Sequence, residues 1–204
     1  MATETLRPNA AGDETAIADQ YPDSTAHWDK VDEAVADDDT TYLQDVGGTY
    51  ARDFYNIPDS VGSGTISSIK VYADVRCTGA PAQASVKIVI KSGTGTGAPD
   101  TADEGSELTI TTSYVLRSES WATNPATSAA WTWDEIDKLQ IGISMRKASI
   151  VPEASRCTQV YVEVDYTAGS ATSIKTVMGV PIADIKTVNG VAIADVKSFI
   201  GVST

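Results

Sequence analysis

Ile69-Lys70-Val71-Tyr72-Ala73-Asp74-Val75-Arg76 decides how this chain reads. Ile69, Val71, Ala73 and Val75 fall on one side of an extended backbone, and Lys70, Tyr72, Asp74 and Arg76 on the other. A period of two describes a strand with one dry face and one wet face. Further along, Val160, Val162 and Val164 oppose Tyr161, Glu163 and Asp165 in the same way. Val86-Lys87-Ile88-Val89-Ile90 is more uniformly apolar and reads as a central strand.

Working outward, the pattern predicts strands over 41–45, 51–57, 66–77, 84–91, 106–111, 115–121, 139–146 and 158–166. Between them lie turn clusters: Val61-Gly62-Ser63-Gly64, Gly79-Ala80-Pro81, and the stretch from Gly93 to Gly105. About eight strands separated by such turns predict an all-β fold, an antiparallel, jelly-roll-like β-sandwich. One helical turn interrupts it. Thr132-Trp133-Asp134-Glu135 has a Thr at the N-cap and a Glu three residues on, which is a capping box. Trp131, Ile136 and Leu139 are expected to close one end of the sandwich, with Trp121 covering the same edge.

The flanks differ from this centre. Residues 1–40 are polar, acidic and weakly periodic, and read as an extended N-terminal arm with Trp28 and Val31 as isolated anchors on a neighbouring surface. The sandwich is placed at 41–167. Thr167-Ala168-Gly169-Ser170-Ala171-Thr172-Ser173 is rich in small residues, so 168–173 reads as a linker. Beyond it, 174–204 repeats itself. Ile174-Lys175-Thr176-Val177-Met178-Gly179-Val180-Pro181-Ile182-Ala183-Asp184 is followed by Ile185-Lys186-Thr187-Val188-Asn189-Gly190-Val191-Ala192-Ile193-Ala194-Asp195. A truncated copy, Val196-Lys197-Ser198-Phe199-Ile200-Gly201-Val202, comes next.

A fixed period with the same apolar positions marks a unit that hides its greasy side against copies of itself. Asn189-Gly190 between Val188 and Val191 is a strong hairpin signal, because both turn residues favour positive φ. A helix of about three turns per 11 residues is the rival, but a Gly in every copy, a Pro and many β-branched residues oppose it. The tail is therefore expected to form an oligomer or partner interface. Its contacts would be Ile174, Val177, Val180, Ile182, Ile185, Val188, Val191, Ile193, Val196, Phe199, Ile200 and Val202.

Charge narrows the partners. Lys plus Arg number 15 and Asp plus Glu 28 in 204 residues, a net charge of −13. That excludes the basic face a nucleic acid or anionic membrane would need. No apolar run approaches the ~20 residues of a membrane span. Met1-Ala2-Thr3-Glu4-Thr5 lacks the basic and apolar regions of a secretory leader, so synthesis and folding in a cytoplasm are expected. Cys77 and Cys157 are expected as buried thiols.

No catalytic set emerges. His27 has no Ser or Cys in a recognisable motif, and Gly93-Thr94-Gly95-Thr96-Gly97 lacks the Lys and helix of a phosphate loop. No cofactor is expected. Asp37, Asp38 and Asp39 form the one candidate for a hard cation, since Ca²⁺ takes six to eight oxygens, often from irregular acidic loops.

Several segments together carry a resemblance. They are Asp37-Asp38-Asp39-Thr40-Thr41-Tyr42, Arg52-Asp53-Phe54-Tyr55, Asn124-Pro125-Ala126-Thr127 with Trp131-Thr132-Trp133-Asp134-Glu135-Ile136, and Thr158-Gln159-Val160-Tyr161-Val162-Glu163-Val164. Over residues 3–167 the chain resembles β-sandwich modules of tailed-bacteriophage virion proteins: head decoration, head fibre and tail-associated proteins. The terminal Ile-Lys-Thr-Val-x-Gly-Val repeat is similar to tails that end phage structural proteins. The resemblance implies a non-enzymatic virion protein, commonly a homotrimer, made in the host cytoplasm. Its partners would be itself and the major capsid or other virion proteins. A reading from another class is a carbohydrate-binding module recognising host surface glycan, with Trp121, Trp131 and Trp133 as the platform. A hydrolase on the same scaffold is a third.

Overall fold

The computed structural model describes residues 1–23, 26–79, 84–147 and 153–169, and short strand pairs between 176 and 203. Two compact units result, Met1–Ala168 and Gly169–Thr204.

The first unit is a sandwich of two six-stranded antiparallel sheets. In chain order its strands are β1 (Ala2–Leu6), β2 (Ala10–Thr15), β3 (Asp19–Tyr21), β4 (Tyr42–Asp45), β5 (Ala51–Asn56) and β6 (Gly64–Cys77). They continue with β7 (Ala84–Ser92), β8 (Thr101–Glu104), β9 (Leu108–Thr109), β10 (Val115–Trp121), β11 (Gln140–Lys147) and β12 (Ser155–Ala168). One sheet runs β10-β6-β12-β4-β3, with β1 also paired to β12. The other runs β2-β5-β11-β7-β8, with β9 also on β7.

The alternating stretches form the spine of the first sheet. β6 and β12 pair along nearly their whole length, with Val71 opposite Val162 and Tyr72 opposite Tyr161. Ile69, Val71, Ala73, Val75, Val160, Val162 and Val164 all turn inward and are completely buried. Val86, Ile88, Ile90, Ile141, Ile143 and Met145 face them from the second sheet. Burying each of these Val, Ile and Met side chains stabilises by about 1.5–3 kcal/mol, and this shared core fixes the register of both sheets. Cys77 and Cys157 are buried free thiols. They face different partners, since Cys77 stands opposite Ser155 and Cys157 opposite Val75.

Residues 1–40 differ from the expected arm. β1 adds to β12 from Ala2↔Tyr166 to Leu6↔Val162, and β2 adds to β5 in the other sheet. Val31 is wholly buried and Trp28 packs on the same core, so both anchor the chain to its own sandwich. Between Ala11 and Thr15 the ladder of β2 is interrupted. There Asp13 reaches Lys91, and Glu14 meets Arg52 at 2.6 Å. Arg52 and Lys87 both hold Glu104, at 3.1 and 2.9 Å. These pairs span the outer face of the second sheet, where Phe54 and Val89 are buried.

Trp133–Ile136 forms the expected helical turn, α1. Its capping box is complete: Thr132 accepts from the Glu135 N–H, and Glu135 accepts from the Thr132 N–H at 2.8 Å. The second unit contains three two-stranded hairpins: β13 (Thr176–Val177) with β14 (Val180–Pro181), β15 (Thr187–Val188) with β16 (Val191–Ala192), and β17 (Ser198–Phe199) with β18 (Val202–Ser203). Each repeat copy closes at the same place, with Val177 opposite Val180, Val188 opposite Val191, and Phe199 opposite Val202. Those six interface candidates lie in the strands. Ile174, Ile182, Ile185, Ile193, Val196 and Ile200, like 170–173 of the expected linker, lie outside the described residues.

Candidate functional site

A concave feature of the sandwich sits where the chain crosses between sheets. β2 belongs to the second sheet and β3 to the first, so residues 16–18 pass over one edge. Ile17 and Val31 plug that edge, and Asp53 on β5 fastens it. The Asp53 carboxylate is fully buried. One oxygen accepts the Ala16 and Ile17 N–H groups at 2.7 and 2.9 Å, and the other lies 2.6 Å from His27 Nδ1. The sequence offered His27 no partner because Asp53 lies 26 residues away. His27 stands in a 3₁₀ turn, His27–Lys30, that the crossover brings against β5.

Beside His27 opens a cavity of about 560 Å³. Ala18, Asp19, Gln20, Tyr21, Asp23, Tyr42 and Gln44 line it with His27. Its wall is a short stack. Tyr21 lies on Tyr42 with ring centroids 5.3 Å apart and planes 17° from parallel. Arg156 covers Tyr42 with its guanidinium 4.0 Å from the ring centre. Because β4 lies between β12 and β3, Arg156 and Tyr21 approach Tyr42 from opposite sides. Tyr21 is the last plate, 52% exposed, on an edge strand.

Hydrogen bonds fix the rest of the wall. Arg156 Nε donates to Gln44 Oε1 at 2.9 Å, which leaves the Gln44 amide NH₂ directed elsewhere. Asp39 anchors Arg156 at 2.9 Å and Arg76 at 2.7 Å, and accepts from the Tyr114 hydroxyl at 3.2 Å. Behind the cavity, burial pushes the Asp45 carboxyl up to about 6, and the charge of Asp19 adds to the effect.

The cation candidates part ways here. Asp37 accepts from the Thr41 and Thr158 hydroxyls at 3.0 Å each, while Asp39 turns to its arginines. Asp38 adopts φ 56°, which reverses the chain between them. Among the described residues no cluster of three or more His, Cys, Asp or Glu side chains could hold a metal ion. Asp37 and Asp39 instead tie the 32–41 segment to β6 and β12.

The three tryptophans do not make a platform. Trp121 and Trp131 are buried, and the Trp131 indole donates to the Trp121 carbonyl at 3.1 Å. Trp133 is partly exposed, but its indole donates to the Gly64 carbonyl and its ring meets Tyr166 edge-on at 5.1 Å.

No protein-family model and no curated protein matches the chain. Solved β-sandwiches do. The CBM22-1 xylan-binding domain from Paenibacillus barcinonensis Xyn10C is 12% identical at a TM-score of 0.42, over 79% of this chain and 88% of its own. The xylan-binding module CBM15 is 10% identical with a TM-score of 0.38, over 76% and 97%. A family 16 carbohydrate-binding module is 14% identical with a TM-score of 0.37, over 60% and 76%. The likeness is one of sandwich architecture.

The lining holds two phenol rings, two carboxamides, two carboxylates and an imidazole. Stacking rings and groups that donate and accept hydrogen bonds are suited to holding a ligand. Tyr21 and Tyr42 were within reach of sequence reasoning as aromatics beside short polar strands. Their pairing depends on β3 joining β4, which three residues could not announce.

Proposed function

We propose that this chain is a non-enzymatic structural protein of a larger assembly, its sandwich displayed and its repeat tail joining it to further copies. The observation that carries this reading is the tail's construction: three consecutive copies each close the same hairpin with two residues per strand. A two-stranded hairpin alone is marginal in water. Repeated apolar positions around such hairpins gain their stability by stacking against other hairpins, and in a homo-oligomer those come from identical chains. The setting in keeping with the sequence resemblance is a tailed-phage virion, as a capsid decoration or fibre protein, with a homotrimer as the assembling unit. The acidic head suits display, because like-charged surfaces stay soluble at high local density.

Light scattering on the eluted full chain, set against a chain ending at Ala168, tests this. The full chain should elute as a defined oligomer and the shortened one as a monomer. Two monomers would overturn the reading. A second reading, recognition of a surface glycan by the head, is supported by the Tyr21–Tyr42 cavity rather than by the tryptophans.

A further inference from the structure

We infer that the cavity beside Tyr21 takes a neutral, polyhydroxylated saccharide, with Tyr21 as the stacking plate and Gln44 and Asp19 as the hydroxyl-reading groups. This rests on the second reading above and is independent of the assembly role of the tail.

The stack supplies the apolar surface. Tyr42 is covered on both faces, by Arg156 and by Tyr21, so Tyr21 alone offers a ring face to a ligand. The C–H face of a pyranose ring packs on such a plate, and the phenol hydroxyl stays wet at its rim. Backing by Tyr42, Arg156 and Asp39 holds the plate still, which lowers the ordering cost of binding.

The polar groups have the matching chemistry. Gln44 spends its carbonyl oxygen on Arg156 Nε, so the group left for a ligand is the amide NH₂, a donor of two hydrogen bonds. Asp19 stands opposite Gln44 in the β3–β4 register, and among the described residues its carboxylate has no ion-pair partner. A carboxylate and an amide on neighbouring strands accept from and donate to adjacent hydroxyls of one sugar. His27 lines the same cavity, its ring fixed by the contact of Nδ1 with the buried Asp53 carboxylate.

Charge and size set the class. Asp19 and Asp23 both line the cavity, and Arg156 is turned behind Tyr42, so sialylated, uronic and phosphorylated ligands meet repulsion. The volume of about 560 Å³ falls within the range of about 300–1,000 Å³ typical of small-molecule sites and suits a short oligosaccharide.

The test uses the full chain on an array of neutral and acidic oligosaccharides, followed by amide NMR titration with the best neutral binder. Binding should be confined to neutral glycans, with shift changes centred on Asp19–Tyr21, His27 and Gln44. Tyr21→Ala should weaken affinity at least tenfold. Gln44→Glu, which keeps the shape but removes the donor, should do the same, and Trp133→Ala should leave affinity unchanged. Both cavity variants alter partly exposed groups, so an unchanged unfolding curve separates lost binding from lost fold. The inference fails if no neutral glycan binds, if acidic glycans bind better, if Tyr21→Ala binds like the parent, or if the shifts map elsewhere on the sandwich. Oligomeric state, measured in parallel, shows whether the assembly reading stands or falls separately.

Discussion

β6 and β12 are 14 residues long and face each other almost from end to end, while every strand of the tail hairpins is two residues long. Both regions are made of β-branched residues in extended pairs. In the head, the long pairing aligns seven inward side chains against a second sheet, so the chain buries its own apolar surface. In the tail, the described pairs are only two residues long in each copy, and under the proposed function the repeated apolar positions are matched between copies. Strand length therefore separates a region that buries its own core from one that we propose gains by multiplication.

The largest effect should come from breaking the head's self-sufficiency. Ile143 is fully buried at the centre of β11, and Ile143→Ala should cost about 2–5 kcal/mol through lost burial and the cavity left behind. Gly142→Ala should be comparably severe, because a Cβ there would overlap the Asp53 carbonyl on the neighbouring strand. Urea unfolding measures both. If either variant unfolds at the parent midpoint, the two-sheet core does not govern stability.

Next comes the fastening of the crossover. Asp53→Asn keeps the shape but replaces one carboxylate oxygen with an NH₂. An NH₂ turned to the Ala16 and Ile17 N–H groups leaves them without an acceptor, at a cost of about 1–3 kcal/mol for a buried group left unsatisfied, and one turned to His27 obliges Nδ1 to accept instead. The His27 ring resonances should move as well, and a variant that loses stability with those resonances unchanged would place the whole effect on the backbone.

Acidity tests the head a third way. Asp45 is buried with its carboxyl raised to about 6, so the folded state binds that proton more tightly than the unfolded chain. The contribution is fully present below the unfolded value of 3.8 and is lost as pH rises through about 6. Burial raises Asp32, Glu33 and Asp74 in the same direction, while Asp13 is lowered beside Lys91. The head should therefore be more stable at pH 5 than at pH 7.5. Asp45→Asn, whose side-chain oxygen still accepts the Gly47 N–H, should flatten that slope in denaturant titrations. An unchanged slope would assign the effect to the other carboxylates.

How far the sequence carries differs across the same divide. β10 was readable to the residue and β6, β7, β11 and β12 to within a few, because β6 and β12 alternate over most of their length while β7 and β11 are buried nearly throughout. β1, β2 and β3 were not, since edge strands such as Ala2–Leu6 bury only Leu6 and otherwise alternate Thr with Glu. β8 hides between glycines, and the strand expected over 106–111 shrinks to Leu108–Thr109. The cavity was invisible for a related reason: its stack joins residues 21, 42 and 156, and its imidazole is oriented by residue 53. Such a site exists only once edge strands have found their places. The capping box at Thr132 and the pairing of Val188 with Val191 were legible because both are local, set by residues within four positions.

The smallest effect on the head should come from removing the tail. The head buries its own core within Met1–Ala168, so ending the chain at Ala168 should leave its unfolding midpoint within about 0.5 kcal/mol of the parent, the range of surface changes that touch no buried group. A larger loss of stability, concentration-dependent and shared by a Val188→Asp variant, would mean that association through the tail feeds back on the folding of the head. A loss that is independent of concentration would instead mean that the tail completes the sandwich of its own chain, and the division between a self-sufficient head and a multiplying tail would have to be given up.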